Sequence, residues 1–495
     1  MSKNVIQDGF RLNNLRSMIS SLSGGDLAVN KLYLGIGRPQ KWSVSSDVEP
    51  QPSNSGDNTN LDWEDICALK RISSSDVSFG IVREKWKANT KYDQYRNDWG
   101  DVIKNTQSVY YTSSFTPASL ADAKYYCVTS QDNVFVCIKQ GTDTGGAIIP
   151  STYEPGIAPT NGVYLTPTDT GVFKANDGYY WKFIANVSVL ASTFRTSNYD
   201  GVTTLTSAPD SNGPYWSQWQ SQLNSMQYRG GIYAINIKAK GAGYNGGNAG
   251  TSDQTSNLLQ IVGNGSGIEY TVTYGAGGTI ENIEITVPGS GYSYAQIITT
   301  GGSAADFDIV YTPSYGLGTD PVKDLSALYL LVNTTLDGDE GGDFFTLNDF
   351  RKIVLVMNPK NYGTVTTSSD GTACTSVTVR AATRLTLSGG AANSFASDDI
   401  VVGSASHAAG VVVQWTSGSS LLEVISPRDA YSSGYTYANH QFQIGDQITS
   451  ATGLLSVVSI DNPETHPYSG EIIYSENRSA ITRGNIEKIT IVVQY

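Results

Sequence analysis

His466–Tyr495 reads HPYSGEIIYSENRSAITRGNIEKITIVVQY. Glu471-Ile472-Ile473-Tyr474 is short and apolar, and Ser475-Glu476-Asn477-Arg478 is a polar break. Glu487–Tyr495 alternates charged and β-branched residues, the pattern of a half-buried strand. The stretch predicts strand, turn, loop, strand. The rest of the chain has the same texture: 495 residues hold 51 Gly and 30 Tyr but only 16% charged residues. Few charges, many aromatics and abundant Gly, Ser and Thr favour strands joined by tight turns over disorder. The expected fold class is mostly β: a β-sandwich-like core with a few short helices, plus two small inserted all-β domains.

Composition narrows the function classes. The net charge of −13 repels phosphate backbones, so nucleic acid is not an expected partner. The four cysteines (Cys67, Cys127, Cys137, Cys374) form no CxxC pair, and none of the three histidines is near one, so no zinc site is expected. Cys127 and Cys137 flank a hairpin, YYCVTSQDNVFVC, and could face each other. Reduced, packed thiols are the expected state, because MSKNVIQDGFRLNN lacks the apolar segment of a secretory signal. No apolar run reaches the ~18 residues of a membrane helix, so a membrane is not an expected partner.

Along the chain, Leu12, Leu15, Ile19 and Leu22 recur at helical spacing and end at Gly24-Gly25. Strands are expected at Leu32–Ile36, Val77–Val82, around Tyr110, and at Tyr125–Val128 and Asn133–Lys139, with a short helix around 61–68. Asp177-Gly178 reads as a turn leading into an aromatic strand. GGIYAINIKAKGAGY from Gly230 and GTIENIEITVPGSGY from Gly278 then align without a gap, 48 residues apart. LLQIVGNGSGIEYTVTY follows the first and AQIITTGGSAADFDIVY the second, so this is an internal repeat. A second region, 364–462, is rich in small and β-branched residues, with a degenerate repeat at Phe395–Ile400 and Phe442–Ile448. The expected organisation is core 1–230, first insert 231–312 (whose first strand could belong to the core), core 313–363, second insert 364–462 and core strands 463–495. The strands at 350–359 and 487–495 are expected in one sheet, with the second insert hung between them.

Little in the sequence carries catalytic chemistry. No GxSxG elbow, HExxH or P-loop occurs, and His407, His440 and His466 are scattered. Gly263–Gly267 has glycines at alternate positions but no following lysine or helix, so it reads as a turn and not a phosphate loop. Asp337–Asp343 begins like a calcium loop, but its twelfth position is Asn348 where a bidentate Glu is needed, so an acidic surface turn is expected. Asp398-Asp399, adjacent on a strand, would point to opposite faces. No catalytic residue, metal ligand or cofactor site is expected. WKANTKYDQYRNDWGD and YWSQWQSQ carry aromatics suited to protein interfaces: Trp86, Tyr95, Trp99, Trp216 and Trp219.

Four separated blocks resemble, in order, the baseplate wedge proteins of the gene-product-eight family of T-even-like contractile-tailed bacteriophages. They are Gly37-Arg38 with Trp42; Asp177-Gly178 with Trp181; Phe350-Arg351 with Asn358-Pro359; and Gly470-Glu471, Tyr474 and Glu476-Asn477-Arg478. The resemblance implies a mostly β structural virion protein of the tail baseplate, assembled in the host cytoplasm. It implies a homodimer that contacts the wedge products of genes six, seven and ten. The implied mechanism is rigid-body rearrangement that triggers sheath contraction on host attachment. The two inserts are not implied by the family. Gly/Tyr-rich β-repeats also suit a carbohydrate-binding tail adhesin or a tail-associated glycan hydrolase.

Overall fold

Glu471–Thr482 is one continuous strand that runs straight through the supposed polar break. It pairs antiparallel with Asp349–Met357, Leu355 facing Tyr474, Val354 facing Ser475 and Ile353 facing Glu476. The ladder hydrogen-bonds the backbone whatever the side chains are, and an edge position tolerates the polar ones. Ile486–Gln494 lies in a different sheet, so the expected pairing of 350–359 with 487–495 is corrected: the strand N-terminal to the turn takes that place.

This computed structural model describes residues 6–43, 46–53, 55–96, 99, 119–144, 146–157, 171–202, 228–365, 370–426 and 441–495. The expected strand around Tyr110, Trp216, Trp219 and His440 lie outside them. The chain is mostly β, and the strand pairings described below are antiparallel. It divides into two compact units: Met1–Leu15, Ser78–Leu330 and Gln494–Tyr495 form one, and Arg16–Val77 with Leu331–Val493 the other. The single discontinuous core expected from sequence is thus divided between two units.

In the second unit a five-stranded sheet runs, in order, Thr378–Arg380, Ile66–Ile72, Leu32–Gly37, Asp349–Met357 and Glu471–Thr482. The central LYLGIG is buried at every position, and Tyr33, Leu69, Val354 and Val356 pack with Trp63, Cys374 and Val379. The expected helix at 61–68 is found at Gly56–Asp65, and Ile66 already belongs to the sheet. Pairing of Ile66–Ile72 with Leu32–Gly37 overrides local helix preference there.

Thr383–Asp461 forms a nearly closed six-stranded barrel. Its order is Ile400–Val402, Ala409–Thr416, Leu421–Ile425, Thr383–Leu387, Gly453–Asp461 and Gln447–Ser450. The two ends approach where the Ser404 amide donates to the Gln447 carbonyl at 3.1 Å and the Gln447 amide to Ser404 Oγ at 2.9 Å. Thr378–Arg380 pairs with the core strand Ile66–Ile72, so the inserted barrel begins near 383 and not at 364.

Buried Asp446 ties the barrel ends together. Its carboxylate accepts the amides of Ala405 (2.9 Å), Ser406 (2.9 Å) and Gln443 (2.8 Å) and the Ser406 hydroxyl (2.6 Å). Burial alone would raise this carboxyl, but the Ser406 hydroxyl and the three amides outweigh it and hold it below its ordinary value. We predict that Asp446→Asn lowers stability by about 2 kcal/mol in urea unfolding, since it exchanges charge-assisted bonds for weaker ones and turns one acceptor into a donor. The depressed group contributes stability above the ordinary Asp range, and that part is lost as pH falls through the folded value. The mutant should therefore show a shallower acid limb, and an unchanged limb would show that Asp446 does not tie the barrel.

In the first unit Tyr126–Val128, Asn133–Lys139, Tyr180–Asn186 and Val172–Lys174 form a sheet in that order. Tyr92, Phe135, Phe173, Tyr179, Trp181 and Phe183 make its aromatic core. Cys127 pairs across the hairpin with Phe135, two residues short of Cys137, and both thiols are free and buried.

The internal repeat is the most regular part of this unit. Ile232–Ala242, the first strand of repeat one, pairs with Ser303–Tyr311, the last of repeat two; Ile280–Ser290 pairs with Ser266–Tyr274 in the mirror arrangement. The middle strands, Leu259–Gly263 and Ala295–Thr299, pair with each other. Registers match: Ile237 faces Phe307 as Ile285 faces Tyr270, and Ile232 faces Tyr311 as Ile280 faces Tyr274. The bulges fall at equivalent places, and both motif tyrosines, Tyr244 and Tyr292, are buried in a shared core. The two repeats are intertwined by exchange of strands, each completing the other's ladder. The first strand of this insert belongs to the module.

Candidate functional site: a clamped edge strand

The sheet order places three of the four motif blocks side by side: Gly37-Arg38 ends one central strand, Phe350–Pro359 spans the next, and Gly470–Arg478 opens the edge strand. Each residue has a packing reason. A Cβ on Gly37 would lie 1.8 Å from the Asp65 carbonyl oxygen, and one on Gly470 would lie 2.4 Å from that of Met357. Phe350 is buried opposite Ile481. Asn358 accepts the Lys31 amide at 2.8 Å and donates to Asn30 Oδ1 at 3.0 Å, while the Pro359 carbonyl accepts the Cys374 amide at 2.8 Å. Glu471 faces Met357 at the start of the edge strand.

The charged motif residues hold one segment. Arg38 binds Asp65 at 2.9 Å and lies over the Trp42 ring at 4.5 Å. The Lys352 ammonium lies 5.5 Å from the same ring and is paired with Asp62. Half-buried Trp42 donates through Nε1 to the Arg478 carbonyl at 2.8 Å, and Asn477 Nδ2 donates to the Pro50 carbonyl at 2.8 Å. Arg351, only 2% exposed at its side chain, forks onto Asp47 at 2.8 and 2.9 Å and donates to the Pro39 carbonyl. The Arg351 hydrogen bond holds the Asp47 carboxyl below its ordinary value. Tyr474 donates to Glu476 at 2.8 Å, and Glu476 pairs with Arg478 at 3.1 Å. Residues 39–43 and 46–50 are thus strapped beside the edge strand, with Pro50 and Pro52 unable to offer ladder donors. These contacts fix the segment against the sheet.

The fourth block lies in the other unit. Asp177 accepts the amides of Thr152 (2.7 Å), Tyr153 (3.1 Å) and Tyr179 (3.1 Å) beside Gly178, whose φ is 82°. Trp181 is fully buried and stacks on Tyr179 at 5.7 Å.

The aromatic interface candidates fare differently. Tyr95 is 3% exposed and meets Tyr125 edge-on at 5.8 Å, so it offers no ring to a partner. Alternate aromatic and polar residues in that segment face inward because its backbone is bonded to a sheet strand, through the Tyr95 amide to the Cys137 carbonyl at 2.7 Å. Trp86 is half-buried against the aromatic core, with Nε1 3.4 Å from Ser151 Oγ. Trp99, also half-buried, donates to the Gln94 carbonyl at 3.2 Å.

A cleft of about 320 Å³ opens between the five-stranded sheet and the barrel of the second unit. Trp63, Phe442, Tyr362 and Tyr468 line it with Glu64 and Gln441. Tyr468 donates to Glu64 at 3.0 Å and Gln441 Nε2 to Tyr362 Oη at 3.3 Å. Nothing local in the sequence marks this cleft, since its lining comes from six separate stretches.

Among the described residues no group of three His, Cys, Asp or Glu is placed to hold a metal ion. In the acidic turn Glu340 accepts the Asp337 amide and pairs with Lys70 at 2.6 Å. Asp398 and Asp399 lie on a turn before the Ile400 strand, where Asp399 accepts the Ala396 amide at 2.7 Å. No helix among the described residues is long and apolar enough to cross a membrane. The chain matches no family model and no curated protein.

Proposed function

We propose that this chain is a non-enzymatic structural component of the baseplate wedge of a contractile-tailed bacteriophage. It would act as a rigid spacer that takes part in the rearrangement triggering sheath contraction. The observation that carries the reading is the convergence on one sheet of three motif blocks from widely separated parts of the chain, all spent on packing and on strapping residues 39–43 and 46–50 to the edge strand. In this reading the chain pairs with itself and contacts the equivalents of the wedge products of genes six, seven and ten, with the repeat module and barrel adding contacts peculiar to this phage. Electron microscopy of virions carrying a gold-labelled tag on this chain should place the label in the wedge, in symmetric pairs. Label confined to fibre tips would overturn the proposal. Light scattering on the purified chain should give twice its 53.0 kDa mass.

The aromatic-lined cleft supports a second reading, a carbohydrate-binding tail adhesin, because sugar rings stack on aromatic faces while amide and carboxylate groups take their hydroxyls. A glycan array probed with the full chain tests it: saturable binding lost in Tyr468→Ala would favour that reading.

A further inference from the structure

A second cavity, of about 230 Å³, lies inside the first unit where the aromatic sheet meets the repeat module. Tyr180 starts one strand and is flanked across the ladder by Lys139 on one neighbour and Lys174 on the other. Both ammonium groups lie 5.4 Å from its ring centre. Strands Ile232–Ala242 and Ile280–Ser290 close the opposite wall with Tyr233, Ala234, Ile283 and Ile285, and Glu284 stands on the same wall.

The two lysines differ. Lys174 is half-exposed and paired with Glu284 at 3.0 and 3.1 Å. Lys139 donates to the amide oxygen of Asn282 at 2.8 Å, and among the described residues no carboxylate lies within ion-pair distance of it. An ammonium has three N–H donors, so a neutral amide and a ring face leave it short of both charge and hydrogen bonds. Burial pushes Lys139 down to about 8, and the charge of the nearby Glu284, itself paired with Lys174, offsets only part of that. Behind Tyr233, Lys182 lies 4.8 Å from that ring and adds no negative charge.

We propose that this cavity binds a small carboxylate with an apolar body, its carboxylate on Lys139 and its body against Val172, Ala234, Ile283 and Ile285. A single negative charge supplies the counter-ion Lys139 lacks, and the walls suit a hydrocarbon. Glu284 disfavours a doubly charged phosphate, which would place excess negative charge beside it. The same chemistry could come from a free acid or from the C-terminal carboxylate of a partner chain ending in an apolar residue.

The test is isothermal titration of the full chain with sodium hexanoate, 1-hexanol, hexyl phosphate and the peptide Ac-Gly-Ala-Leu with a free C-terminus. Hexanoate should bind about tenfold more tightly than hexanol, and Lys139→Gln should erase that difference. Glu284→Gln, which removes a competing carboxylate and leaves Lys139 in place, should tighten hexanoate about threefold, so the proposal stays testable if Lys139→Gln fails to fold. Peptide binding tighter than hexanoate assigns the source to a partner chain, and weaker binding to a free acid. Equal affinity for hexanoate and hexanol, absence of hexanoate binding, or tighter binding of hexyl phosphate would overturn the proposal.

Discussion

Gly278→Ala is expected to unfold the repeat module, while Gly230→Ala, its counterpart in the other repeat, is expected to weaken it without unfolding it. Both glycines have left-handed backbones, with φ of 66° and 63°. Both sit where the turn tyrosine of the opposite repeat crosses: the Gly243 amide donates to Gly277 at 2.8 Å, and the Gly291 amide donates to Arg229 at 2.8 Å. The spacing differs. A Cβ at 278 would lie 2.0 Å from the Tyr244 carbonyl oxygen and 2.7 Å from its amide nitrogen, whereas one at 230 would lie 3.1 Å from the Tyr292 carbonyl oxygen. Each alanine bears the left-handed penalty of about 1 kcal/mol. Only the first must also push backbone aside within an interlocked ladder, for a total of about 4 kcal/mol. Urea unfolding followed by tyrosine fluorescence should separate the two. Equal losses would mean that the repeats are not packed as unequally as these distances require.

Arg351→Met is expected to cost about 3 kcal/mol in the second unit, because it removes the cation that three acceptors surround. Arg351 is among the largest fully buried side chains, and its guanidinium is shared among Asp47, the Pro39 carbonyl and, at 3.3 Å, Asp349. Methionine fills much of the volume but bonds none of them. The Asp47 side chain is 31% exposed and can rehydrate, so the main consequence falls on residues 39–43 and 46–50, which lose their anchor. Limited proteolysis should cut that segment at least tenfold faster in the mutant. The acid limb provides an independent check. Asp47 is held down chiefly by its Arg351 hydrogen bond, so this pair contributes stability above the ordinary Asp range and loses it as pH falls through the folded value. Arg351→Met should flatten that limb. Unchanged cleavage together with an unchanged midpoint would show that the strap is held elsewhere.

Strand identity was legible wherever a short apolar run was bounded by turn residues. Asn133–Lys139 was read to the residue, as was Val77–Val82. The repeat was legible because Gly, Ile and Tyr recur at fixed spacing, and those residues do occupy equivalent turns and core positions. Its exchange of strands was not, since either pairing within a repeat or pairing between repeats buries the same isoleucines. The break at Ser475–Arg478 was misread because side-chain polarity says little about an edge strand, whose backbone is satisfied on one side only. Tyr95 was misread because aromatic texture does not tell a core-facing loop from an exposed one.

By itself the sequence determined the mostly β character, the repeat, the inserted barrel-like region and the residues that form its turns, all of which follow from spacing within a few residues. Only the tertiary structure decided which strands pair, where the barrel begins, that Arg351 and Trp42 strap one segment beside the edge strand, and that Lys139 faces a cavity whose one carboxylate, Glu284, is paired with Lys174. Those outcomes depend on groups up to several hundred residues apart, such as Trp42 with Arg478. Their contact energies exist only after the loops between them have closed.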